Sequence, residues 1–157
     1  MSFQNKRMFT KEALQMTKEN LYNYADKENI NISYTNKLET SNGLYMNVDD
    51  EDYIILDNKL GEVDEKMALA EEIAHYEVGV TPTIPFNNDY YNMLIRSKNE
   101  FKAFKWMANK IIPQDKLKMF LAKNMSKFEI AEELGITVEF VEKAYELYTP
   151  FYDIERR

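Results

Sequence analysis

Apolar residues between Thr10 and Glu28 recur at helical spacing, with Leu14, Leu21 and Ala25 on one face and a polar remainder. This predicts a helix with Thr10 as its N-cap. From Ile32 to Leu38 the period changes to two, as in a half-buried strand. Gly43–Val48 and Tyr53–Leu56 read as two further strands, joined by the acidic turn Asp49-Asp50-Glu51-Asp52. That turn lacks the glycine and the distant glutamate of a calcium loop, so it reads as a solvated hairpin tip. A second turn, Asp57–Gly61, leads to Asp64 as the cap of a helix ending at Gly79. Pro82 and Pro85 keep the next segment from being helical. A long helix follows from about Tyr90 to Ile111, closed by Pro113, with Met93, Phe104, Met107 and Ile111 on one face and Ala103 alongside. Ser126–Tyr148 then reads as a helical pair turning at Gly135.

These elements predict an α+β fold with a small, mainly antiparallel sheet. The expected division is a core over residues 1–113 and a helical appendage over 114–157 packed on it. A chain of 157 residues can bury its own core, and 45% hydrophobic with 13% aromatic content argues against disorder. Cysteine is absent, which removes disulfides and thiol chemistry from consideration. The N-terminus lacks the apolar run of a signal peptide, and no stretch of about 18 apolar residues occurs. The expected location is the cytoplasm. A formal charge of −7 argues against non-specific binding to nucleic acid.

The chemistry concentrates in Met67–Gly79, MALAEEIAHYEVG, which holds His75, the only histidine in the chain. Glu71 and His75 stand one helical turn apart, and Glu72 lies about 100° round from Glu71. Leu69, Ile73 and Tyr76 cluster on the roughly opposite side, where they would face a core. One helix thus presents two carboxylates and an imidazole opposite an apolar face. The pattern Glu-Glu-x-x-His is one residue away from the zincin motif His-Glu-x-x-His, in which two histidines bind zinc and the glutamate activates water. By itself so short a pattern also suits an ordinary acidic surface helix. Glu100 adds to it, because its position falls within the apolar stripe of the long helix. A carboxylate buried there has to be paired, protonated or bound to a metal. A salt bridge to lysine is the plain alternative.

Leu69–Tyr76 (LAEEIAHY) resembles the L-A-H-E-L-G-H block of the ImmA/IrrE metallopeptidases of phages and mobile elements. Asn99–Ala108 resembles that family's E-x-x-A-x-x-W/F-A block, Lys110–Pro113 its L-L-x-P ending, and Gly43-Leu44-Tyr45 its strand region. The resemblance covers about residues 10–150. It implies a zincin-like fold and a cytoplasmic zinc endopeptidase that cleaves a repressor and so releases the genes of its element. Carried across, Glu72 is the general base, and Glu71, His75 and Glu100 bind the metal, zinc or another divalent ion. Glu71 is the departure, since the family pattern has histidine there. A second carboxylate ligand leaves the metal less positive and weakens water activation. An oxyanion donor is also needed, and Tyr90 or Tyr91 at the start of the Glu100 helix is a candidate, with packing or surface placement as the default reading of these tyrosines.

The C-terminal pair has helix-turn-helix-like spacing, with Ala131, Leu134, Gly135, Ile136 and Val141 at the expected positions. Ser126–Tyr148 nevertheless holds two lysines against six glutamates, a balance of −4, which a duplex backbone would repel. The pair is therefore expected to pack on the core or to dock a protein partner, for which a helix-turn-helix repressor of the kind the resemblance implies is the natural candidate; no direct nucleic acid and no membrane is expected. The rival functions are a non-catalytic relative that binds such a repressor and a helix-turn-helix regulator whose Glu-Glu-x-x-His is incidental.

Overall fold

A computed structural model describes residues 16–79 and 89–155, the side chains of 89–96 and 151–155 excepted. Helix α1 (Lys18–Lys27) begins at Thr17, whose hydroxyl accepts the Asn20 N–H. Thr17, with its extended backbone, is thus the cap in place of Thr10; Thr10 and Leu14 lie outside the described residues. Leu21 and Ala25 are buried, as their spacing requires.

Strands β1 (Asn31–Thr35), β2 (Gly43–Val48) and β3 (Glu51–Asp57) form a sheet in the order β1-β3-β2. β2 pairs antiparallel with β3, and β1 pairs parallel with β3, so the sheet is mixed where mainly antiparallel pairing was expected. The reason is the apolar content of β3. Its Ile54 and Leu56 are fully buried, and the centre is the one place where a strand is bonded on both edges. The link between β1 and β2 therefore passes β3's place, and a tight hairpin brings the chain back into it. That hairpin turns on Asp49 and Asp50, with φ of 52° and 63°. A two-residue hairpin loop needs positive φ at both positions, and aspartate tolerates it.

Helix α2 (Glu62–Val78) crosses the sheet. Its N-cap is Gly61, without a side-chain bond, and Asp64 sits in the first turn instead of capping it. Glu62 and Glu65 share that turn and are tied back to α1. Lys18 Nζ lies 2.7 Å from Glu65 and 2.9 Å from Glu62, and the Tyr22 hydroxyl donates to Glu65 at 2.8 Å. Gly79, at φ 67°, ends the helix in the left-handed conformation that glycine accepts without strain. Leu69 and Ile73 face the core as expected. Ala68, Ala70 and Ala74 are buried too, so neighbours approach α2 from most sides.

Helix α3 (Asp89–Ile111) packs along α2, burying Ala103, Met107, Ala108 and Ile111. Trp106 meets Tyr24 of α1 edge-on at 6.1 Å. After Pro113 comes α4 (Gln114–Ala122), a short helix that the sequence pattern does not separate out. The C-terminal pair is α5 (Lys127–Leu134) and α6 (Val138–Glu155). Ser126 and Glu129 form a capping box at the start of α5, and Gly135, at φ 63°, closes it. Phe140 stacks edge-on against Phe104 at 5.4 Å, and the Tyr148 hydroxyl reaches Asn109 at 3.3 Å. One hydrophobic cluster thus runs from Leu21 in α1 to Tyr148 in α6.

Lys66 of α2 is 7% exposed, and its ammonium donates to the Leu134 carbonyl at the end of α5. Burial pulls its pKa below the ordinary lysine value, as does the nearby charge of Lys116. A cation suits the negative end of a helix, and the carbonyl satisfies a donor that water cannot reach. Lys66→Ala would strand that carbonyl and should lower unfolding free energy by about 1–3 kcal/mol, measured by urea denaturation. Lys127→Ala, which removes an exposed partner of Glu142, should change it by less than about 1 kcal/mol.

Candidate metal centre

The last two turns of α2 bring three donor residues together. One ligand atom each of Glu71, Glu72 and His75 lies within 4.8 Å of the others. This follows from helical spacing: i and i+4 share a side, and i+1 leans towards the sheet. His75 Nε2 is 4.0 Å from Glu71 Oε1 and 3.7 Å from Glu100 Oε1 on α3. The four predicted residues therefore meet across the α2–α3 contact.

Their environments differ. Glu72 is 7% exposed, against 53% for the Glu71 side chain and 60% for that of Glu100. Glu100 is thus at the mouth of the site and not within an apolar stripe. Among the described side chains of α3 the first buried one is Ala103, and Phe101 beside Glu100 is exposed as well. Tyr90 and Tyr91 are among the residues whose side chains are not described.

Burial, reinforced by the charges of Glu71 and Glu100, raises the Glu72 carboxyl from its ordinary 4.5 to about 8. The Tyr45 backbone N–H, facing that carboxylate from β2, works in the opposite direction. Loss of water raises Glu71 too; the neighbouring His75 opposes this and Glu100 adds to it. Carboxyl groups held this close resist simultaneous ionisation unless a cation joins them.

The donor set fits a divalent metal. His75 Nδ1 is buried and has no hydrogen-bond partner among the described residues, while Nε2 faces two carboxylates. One imidazole nitrogen among carboxylate oxygens is a combination that zinc and its neighbours accept.

Two features of the site escape a reading of the sequence. One is the Tyr45 N–H, a backbone group carrying no sequence signal. The other is the close approach of β2 to Glu72 at Gly43, for which the only signal was a glycine at the start of a strand.

The family model described as the IrrE N-terminal-like domain, a peptidase family, matches residues 25–146. No curated protein and no solved structure shows a significant match.

The raised Glu72 pKa has a consequence for stability. Between about pH 4.5 and 8 the folded chain holds a proton that the unfolded chain has released. The contribution of this group is therefore full below 4.5 and is lost as pH rises towards 8. In metal-free protein the melting temperature of wild type should fall relative to that of Glu72→Gln between pH 5 and pH 8. Parallel curves in calorimetry would show that Glu72 ionises normally.

Proposed function

The chain belongs to the ImmA/IrrE family of metallopeptidases, with the IrrE N-terminal-like domain spanning residues 25–146, and on that premise we propose that it is a site-specific zinc endopeptidase. Its substrate in this reading is a helix-turn-helix repressor of a phage or mobile element, cleaved in the cytoplasm to release that element's genes. One observation carries the chemical part: a buried carboxylate, Glu72, lies within 4.8 Å of donor atoms of Glu71 and His75, with Glu100 beside them.

Glu71, His75 and Glu100 would hold the metal. When bound, zinc would supply Lewis acidity to the scissile carbonyl and to the attacking water. Glu72 accepts the proton of that water and returns it to the leaving amine. Its seat beneath β2 excludes bulk water. A nearby cation favours the ionised form that a base requires. Glu71, standing where the family has histidine, leaves His75 as the single imidazole of the site.

The outer faces of α5 and α6 support a protein partner. Ser126–Tyr148 pairs its two lysines with six glutamates, a charge that attracts a basic protein surface and repels duplex DNA. Among the described residues, no helix is long and apolar enough to cross a membrane.

Freshly purified protein should carry about one divalent ion per chain, and His75→Ala should carry none by elemental analysis, since no second histidine can substitute. Full occupancy in His75→Ala would sink the ligand assignment. Glu72→Gln should keep the metal while slowing cleavage of the repressor encoded beside this gene by about 10²–10⁴-fold. Glu71→His should retain or raise both metal affinity and rate. Wild type that is loaded with metal yet leaves the repressor intact would point to a binding protein on the same scaffold.

A separate measurement addresses the C-terminal pair. Titration with duplex DNA at low salt should show no salt-sensitive binding. Tight binding to an operator would favour the transcription-factor reading.

A further inference from the structure

Strand β2 meets α2 at three successive points, all around Glu72. A methyl group built on Gly43 would lie 2.9 Å from Glu72 Cγ and 3.4 Å from its Oε1. Two residues on, the Tyr45 backbone N–H is turned towards the Glu72 carboxylate. The Tyr45 ring then packs edge-on against Tyr76, one turn beyond Glu72, at 5.9 Å and 78°. Both tyrosines are anchored at their far ends. Tyr45 donates to Asp52 at 2.7 Å and Tyr76 to Glu28 at 2.9 Å.

β2 cannot retreat from this contact. Gly43 is in register with Leu56 of the central strand, and the same added methyl would lie 3.1 Å from Leu56 Cδ2. It would be caught between a fully buried leucine and the glutamate. Real Cβ atoms do not sit under 3.0 Å from a neighbour, so Glu72 would have to turn.

From this geometry we infer that Gly43 and Tyr45 are positioning residues for Glu72. Gly43 provides the space the glutamate's stem occupies, and the Tyr45 N–H directs its carboxylate towards the site. The inference rests on the reading of Glu72 as the base and extends it to the strand beneath. A general base has to meet its proton within hydrogen-bond reach, and a misplacement of about 1 Å can cost about 10²-fold in rate. Directional control by a backbone amide resists drift because β3 holds the strand through its ladder.

The test uses the full chain with three readouts. In a ¹⁵N-labelled sample the Tyr45 amide proton should move upfield in Glu72→Ala, which deletes the acceptor, and also in Gly43→Ala, which leaves the acceptor present but turned. Tyr45→Phe keeps the backbone N–H and an aromatic ring, so in that variant the amide at position 45 should stay downfield. In melting experiments Gly43→Ala should lower the midpoint by several degrees in wild type and by little in a Glu72→Ala background, where the colliding stem is gone. Against the neighbouring repressor, Gly43→Ala should lower kcat by about ten- to a hundredfold, with KM nearly unchanged and metal content intact.

A Tyr45 amide that ignores Glu72→Ala would overturn the inference. So would equal thermal losses for Gly43→Ala in both backgrounds, because the glycine would then matter to the strand alone. Full activity in Gly43→Ala, with Glu72→Gln inactive, would leave the base in place and remove only the cradle. Unchanged cleavage by Glu72→Gln would remove the base itself, and the positioning role with it.

Discussion

The structure depends on burying α2 with two ionisable side chains, Lys66 and Glu72, still attached. Ala68, Leu69, Ala70, Ile73 and Ala74 are each no more than 4% exposed, so the helix is enclosed by its neighbours. Lys66 and Glu72 are the charged side chains buried with them among the described residues. An unpaired charge in such a place is too costly to persist, and a salt bridge between these two is ruled out by their placement on different neighbours. Each is instead met by a backbone group: Lys66 by the Leu134 carbonyl, Glu72 by the Tyr45 N–H. The one fixes the C-terminal helices on α2, and the other fixes the edge strand. Both contacts use backbone that its own element leaves open, at the end of α5 and along the outer edge of β2.

This arrangement separates support from chemistry along one helix. The first turn is held to α1 by Lys18 and Tyr22, the middle by Lys66 and the aliphatic core, and the last turns present Glu71, Glu72 and His75. The donors sit where the helix leaves the core, so one carboxylate is sheltered while Glu71 and Glu100 reach solvent. Shelter from water raises the Glu72 carboxyl well above its ordinary value. In the proposed mechanism that difference lets the base stand a few ångströms from the residues assigned to the metal.

The C-terminal pair shows form and charge pulling apart. A capping box, a left-handed Gly135 and a following helix make a helix-turn-helix outline. The pair's two lysines against six glutamates give a balance that a duplex phosphate backbone would repel. Here the outline serves packing: Phe140 and Tyr148 turn towards α3, and the Leu134 carbonyl receives the buried lysine.

Much of this was legible along the chain because it depends on local spacing. A period of 3.6 placed Leu69 and Ile73 in the core and His75 beside Glu71, and glycines marked the ends of α2 and α5. The strand β2 and its acidic hairpin tip could be read from strand-forming residues bounded by turn chemistry. Glu71, Glu72, His75 and Glu100 were identifiable as a group, since two short blocks carried them. The parallel pairing of β1 with β3 and the exposure of Glu100 were decided by tertiary structure. Each depends on what lies across from a residue, and sequence spacing does not encode that. The same holds for Gly43, whose missing side chain makes sense only once Glu72 is seen to fill its place, and for Lys66, which reads as a surface lysine until the end of α5 arrives above it.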